Sequence, residues 1–237
     1  MKSRPILFSA PLIPPLVDGR KTQTRRLVLG APDNAIQAVP SLLAHGGDLW
    51  DFRPNLDNPK AIRCPYGAPG DRLWVREEHY RYGHWEKVTG QQRRTRTGRQ
   101  RWRFVADTSE VLFDAPAAFR KGRHHRDPAT PAWHKRLARF MPRAFSRITL
   151  EIVEVRVQRL QEISEGDAQA EGVEPYTPPH GHISPEQRVP GPGFDRCRLG
   201  DQPHRLPFAD LWDSINGKRC PWSSNPWCWC LTFRRLA

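Results

Sequence analysis

The chain has 237 residues, 38% hydrophobic and 10% aromatic, a composition that excludes intrinsic disorder and a length that suits one core burying about 70% of the unfolded surface. Lysine and arginine number 38 against 25 acids, a net charge of +13, so the expected partners are acidic or phosphate-bearing. No run of 18 apolar residues occurs, and the chain is read as a cytoplasmic monomer with no membrane segment: the early apolar stretch after Lys2 and Arg4 is broken by Pro5, Pro11, Pro14 and Pro15.

Taken in order, "RPILFS" (Arg4 to Ser9) predicts a short strand, and "PLIPPLVDG" a short helix begun by prolines and stopped at Gly19. "KTQTRRLV" has the β-branched character of a second strand. Pro69-Gly70-Asp71 is a turn feeding a strand from Arg72 to Glu78, and "RWRFVAD" is another strand. The strongest strand signal is "SRITLEIVEVRVQRL", whose near-alternation is long enough for one bent strand or two in sequence. "SEGDAQAEG" predicts a helix with Ser164 as N-cap and Gly172 as stop. Residues 174–205, rich in Pro, Gly and His, are expected as an irregular insertion. "PFADLWDSING" predicts a helix with Phe208, Leu211, Trp212 and Ile215 on one face. "NPWCWCLTFRRL" alternates Trp227, Trp229, Leu231 and Phe233 as a closing strand. Five or six strands with short helices between them imply an α+β fold built on a small β-barrel, a single domain with no internal repeat.

Five cysteines (Cys64, Cys197, Cys220, Cys228, Cys230) contain no C-x-x-C, and the histidine pairs His124/His125 and His180/His182 lie in loop-like surroundings. Reduced thiols and solvated histidines are the expectation, with no metal and no cofactor. Charge, by contrast, is concentrated: residues 91 to 147 hold fifteen Lys/Arg and four Asp/Glu, so +11 of the total lies in one quarter of the chain. Its densest part, "RRTRTGRQRWR", places Arg93, Arg94, Arg96, Arg99, Arg101 and Arg103 around Trp102 without an acid. Arginines release counterions from phosphate and an indole stacks on an unpaired base, so this insertion is expected to contact nucleic acid.

Several segments, in order, resemble the ASCH domain of the PUA-like superfamily, in the larger form often encoded by bacteriophages and prophages. They are the helix followed by "GRKTQTRR", "PGDRLWVRE", "MPRAFSRITLEIVEVRVQRLQEISEGDAQAEG", "FADLWDSING" and "NPWCWCLTF", about two thirds of the chain. Residues 79 to 140 and 174 to 205 fall outside the resemblance. It implies a pseudo-barrel with a cleft for RNA or nucleosides. One much smaller branch of the family removes the acetyl group from N4-acetylcytidine, with a lysine and threonine in a "GRKTxT" segment, here Lys21 and Thr24. Its glutamate lies in a "TIEV" strand, matched here by "TLEI" and hence Glu151.

Amide hydrolysis needs a nucleophile, a group that takes and returns a proton, and donors for the oxyanion. Thr24 supplies the hydroxyl, and Lys21 serves as base only if partly neutral, a state favoured by its neighbours Arg20, Arg25 and Arg26. Alternatively Glu151 is the general base on a water and a charged Lys21 stabilises the oxyanion. Positions 21 and 24 of a regular strand face opposite ways, so the two converge only if Lys21 sits in the turn after Gly19. Arg20, Arg26, Arg76, Glu77 and Arg147 complete the expected substrate-binding set. The expected function is removal of an acyl group from N4 of a cytosine nucleoside, nucleotide or nucleic-acid base. A non-catalytic RNA- or DNA-binding module, or a weak nuclease, is the alternative.

Overall fold

The computed structural model describes residues 1–42, 47–54, 59–90, 94–123, 126–176 and 203–236. They form a mixed α+β structure, mostly sheet, with three short α-helices: α1 (Ile13–Val17), α2 (Glu165–Ala170) and α3 (Arg205–Asn216). The strands are β1 (Ser3–Leu7), β2 (Gln23–Leu27), β3 (Gln37–Pro40), β4 (Leu49–Arg53), β5 (Lys60–Arg63), β6 (Arg72–Arg76), β7 (His79–Lys87), β8 (Trp102–Ala106), β9 (Ala132–Arg136), β10 (Thr149–Arg159) and β11 (Trp227–Leu236). Among the described residues they make three open sheets, ordered β1-β6-β10-β11-β2, β3-β4-β5 and β8-β7-β9. The expected barrel therefore does not close: the five-stranded sheet ends on β1 and β2 rather than joining them.

The chain divides into two compact units. The first comprises residues 1–5, 11–74 and 148–237, and the second 6–10 and 75–147. The basic insertion expected over 79–140 lies inside the second. Of the Pro/Gly-rich insertion at 174–205, residues 177–202 lie outside the described residues, as do His124, His125, His180, His182 and Cys197.

In the first unit β11 is the central ladder, antiparallel to both β10 and β2. β10 is a single bent strand, its register slipping between Ile152 and Glu154. The extra residue of such a bulge turns outward, and Val153 is accordingly 52% exposed. One face of the sheet carries Trp227 and Trp229, which meet Trp50 and Phe52 of β4 edge to face at 5.8–6.5 Å between ring centres. Here the alternating tryptophans serve packing between sheets. The other face carries Cys228, over which Phe208, Trp212 and Trp222 close a second cluster. Helix α3 buries Leu206, Phe208, Ala209 and Trp212 and leaves Ile215 half exposed, so its apolar stripe is rotated from the expected one.

In the second unit β7 pairs with β8 on one side and β9 on the other. Gly83 of β7 lies beneath Phe104; a Cβ there would stand 2.8 Å from Phe104 Cζ and closer still to the Val105 carbonyl, so only glycine lets the ring lie down on the strand.

Candidate functional site

Helix α1 ends at Val17, Gly19 in the turn beyond it takes φ +78°, and the chain doubles back before β2 begins at Gln23. Lys21 therefore precedes the strand, in the turn. Its backbone N–H donates to the Pro15 carbonyl, that of Thr22 to the Ala170 carbonyl, and Thr22 in turn accepts from Phe233. These bonds fix the segment between α1, the end of α2 and β11, and they turn the lysine side chain inward.

The Lys21 side chain is fully buried, with three acceptors around Nζ: the Gln23 carbonyl at 2.9 Å, the Glu171 carbonyl at 2.7 Å and Glu171 Oε2 at 2.8 Å. Three acceptors match the three donors of an ammonium and leave no place for a lone pair. Burial pushes the amine below the ordinary lysine range; Glu171 opposes this, while Arg26 and Arg25 add to it. The bonding geometry decides for the charged form at rest. The Gln23 carbonyl belongs to the peptide leading into Thr24, so bond lengths alone hold Nζ within about 7 Å of Thr24 Cα. Thr24 is itself 3% exposed.

Glu171 closes α2 and is likewise buried. One carboxylate oxygen is spent on Lys21; the other, Oε1, is buried without a hydrogen bond and lies 3.6 Å from Arg25 Nη1. Gly172, which follows at φ +80°, permits the approach: a Cβ there would lie 2.8 Å from Lys21 Cβ and 2.9 Å from Pro15 Cβ. Arg25 binds Asp167 at 2.8 Å, and Arg156 reaches the other oxygen of that carboxylate at 3.3 Å. Burial alone would raise the Asp167 carboxyl, but hydrogen bonds from Arg25 and Gln23 hold it below its ordinary range. Arg26, on the same face of β2 as Thr24, is lowered by burial, with Tyr66 and Glu171 favouring its charge. Two buried cations, Lys21 and Arg25, thus stand against the carboxylates of Glu171 and Asp167, and fixed cations of this kind favour a negative charge developing beside them.

Glu151 is not the carboxylate beside Lys21. It lies on β10, and β10 and β2 flank β11 rather than each other, two strand spacings or about 10 Å apart. Its carboxylate is held by Arg234 of β11, at 2.9 Å from Nε and 2.8 Å from Nη2. The carboxylate beside Lys21 is thus that of Glu171, while strand parity turns the Thr24 side chain to the face of β2 opposite Arg25, the residue beside Glu171 Oε1. Residue type and one local conflict were the available signal for Glu171: an acid at a helix C-terminus sits against the dipole, as few acids do without a partner. Arg20 stands at the surface, paired with Glu174 and Asp18.

The remaining expected residues belong to the second unit and are described within it. Arg147 grips Glu77 with two bonds, at 3.0 and 2.9 Å, and stacks on Phe113; Arg76 Nε donates to the Met141 carbonyl. Arg147 and Glu77 form a clamp rather than two ligands awaiting substrate. Arg94 donates to the Gly98 carbonyl across its own turn, Arg96 is exposed, and Arg93 lies outside the described residues. Arg103 is neutralised by Glu86 at 2.8 Å. No group of three or more His, Cys, Asp or Glu among the described residues is placed so that it could hold a metal ion, and no helix among them is long and apolar enough to cross a membrane. Comparison of the chain with family models, with curated proteins and with solved structures returned no match.

Proposed function

We propose that the protein hydrolyses the amide of an N4-acylated cytosine nucleoside or nucleotide, and that its chain is an ASCH-type member of the PUA-like superfamily. The observation that carries the reading is the buried Lys21–Glu171 pair anchored on the peptide that leads into Thr24. Oε1 of Glu171, which carries no hydrogen bond, is the base. It takes a proton from the attacking water as the new C–O bond forms at the acyl carbon. The charge passing to the carbonyl oxygen is stabilised by the field of the cations Lys21 and Arg25. The C–N4 bond then breaks and the proton returns from Glu171 to N4, leaving cytosine with its amino group and the acyl group as carboxylate. The charged resting state of Lys21 favours Glu171 over the lysine as base.

Complete burial of the Lys21 side chain favours a second reading, in which the pair ties α2 to β2 and the chain is a nucleic-acid-binding module without catalysis. One experiment separates the two. N4-acetylcytidine, its 5′-monophosphate and an acetylated oligonucleotide are incubated with the protein from about pH 6 to about pH 9, and products are read by mass spectrometry. Deacylation is expected, abolished by Glu171→Gln and retained in Glu151→Gln. If none of the three substrates is deacylated, or if Glu151→Gln is as damaging as Glu171→Gln, the hydrolase reading falls.

A further inference from the structure

The sheet β8-β7-β9 has two faces of opposite character. Strand parity puts Tyr80, Tyr82, His84 and Glu86 of β7 on one face, with Arg103 and Val105 of β8 and Trp133 and Lys135 of β9. Every ion pair of the sheet is there: Glu86 with Arg103 at 2.8 Å, Glu78 with Lys135 at 2.6 Å, and Asp107 with His84 at 2.9 Å. The other face carries His79, Arg81, Trp85 and Lys87 of β7, Trp102 and Phe104 of β8, and His134 and Arg136 of β9; the two histidines are buried, His134 against Trp85, whose Nε1 donates to its Nδ1 at 3.3 Å, and Phe104. It holds no acid, and none of its cations is ion-paired among the described residues.

These cations lie on rings instead. The Arg136 guanidinium is 4.4 Å from the centre of Phe104, 5.1 Å from Trp85 and 5.3 Å from Phe140. Arg123 and Lys87 flank Trp102 at 4.3 and 5.8 Å, and Arg139 lies 5.0 Å from Phe140. Phe140 is 53% exposed, and Trp85, Trp102 and Phe104 are each partly open. Burial lowers the Arg136 pKa and the charge of Arg81 lowers it further, so like charges are gathered here at a cost. The opposite face shows the same residue types paired with acids in the ordinary way.

We infer that this face binds single-stranded nucleic acid. Rings interleaved with unpaired cations match a chain that repeats bases and phosphates: the bases stack on the rings and the phosphates meet the arginines. From Arg81 to Lys87 the platform runs about 20 Å along β7, room for several nucleotides in one line. An acidic peptide would satisfy the cations and leave the rings unused, and a duplex keeps its bases from them. The inference moves the interface away from Arg93, Arg94 and Arg96 and onto the sheet, and it stands whether or not the Lys21 site is catalytic.

The test is fluorescence anisotropy of the whole protein with labelled single-stranded RNA, single-stranded DNA, duplex DNA and polyglutamate, from about 50 to about 200 mM salt. Phe140→Ala, an exposed position, and Arg136→Gln probe the face; Arg103→Gln and Lys135→Gln probe the other. Thermal melts report folding. Single strands are expected to bind more tightly than duplex or polyglutamate. Phe140→Ala should weaken them at least about five-fold, the loss of one base stack. Arg136→Gln should shallow the slope of log affinity against log salt by about 0.7, one phosphate contact. The control pair should do neither. Preference between RNA and DNA then identifies the source of the strand. Equal binding of polyglutamate, equal loss from the opposite-face variants, or no binding at the lowest salt overturns the inference.

Discussion

Lys21 and Glu171 are a pair that hydrophobic residues of similar size would replace without loss, since taking two charges out of water costs about what their attraction returns. Removing one partner is different, because it strands the other charge. Lys21→Met should therefore destabilise the protein by about 3–5 kcal/mol in urea titrations, while Lys21→Met with Glu171→Leu should regain most of that loss or exceed the parent, with no turnover. The pH dependence follows with its sign. Lys21 is depressed in the folded state, so between its folded value and the ordinary lysine value of about 10.4 the unfolded chain binds more protons, and stability from this group rises with pH through that window. The double variant should lose that alkaline rise. If the single and double variants are equally unstable, or the rise persists, Lys21 is not held as a buried cation by Glu171.

Element by element, what was readable followed the strength of local pattern. The Ser164 hydroxyl accepts from the Asp167 amide as expected of an N-cap, and the long alternation of β10 and β11 made the two longest paired strands. Strands β3, β4 and β5 were not anticipated: they are four or five residues long, and β4 buries three residues in succession, so no alternation marks it. Glu151 was misplaced for a related reason. Sequence puts it in a strand, but only the strand order separates it from β2, and strand order is written in contacts between residues far apart. The meeting of α2 with β2 is of the same kind, and Gly172 is its sequence mark. Because φ is +80° there and Lys21 Cβ would be 2.8 Å from an added Cβ, Gly172→Ala should cost at least about 1–2 kcal/mol in urea titrations. It should also reduce deacylation out of proportion to the fraction unfolded, since the lysine must shift. A Gly172→Ala protein as stable and active as the parent would mean that this contact does not position Lys21.

Across the molecule, charge is divided as the two compact units are. In the first unit cations sit against acids: the buried Lys21 against Glu171, the buried Arg25 and the partly buried Arg156 against Asp167, and the half-exposed Arg63 against Asp48. In the second, which contains nearly all of residues 91 to 147 with their excess of +11, one face of the sheet keeps its arginines on rings and without acids. Repulsion between such charges acts against the compact state and is screened by salt, with a Debye length falling from about 10 Å at 0.1 M to about 3 Å at 1 M. Salt also weakens ion pairs, most of all exposed ones, so the two units should respond in opposite senses. Amide hydrogen exchange, resolved by peptide, is the measurement. On raising NaCl from about 0.05 to about 0.5 M, exchange in β7 and β9 should slow, whereas that in β2 and β11 should stay the same or quicken slightly. A single-stranded oligonucleotide at low salt should slow β7 and β9 as salt does, because it supplies the missing negative charge and binds only the folded form. Uniform slowing over both units would instead mean that the excess charge acts on the molecule as a whole, and that the unpaired face is not where its cost is concentrated.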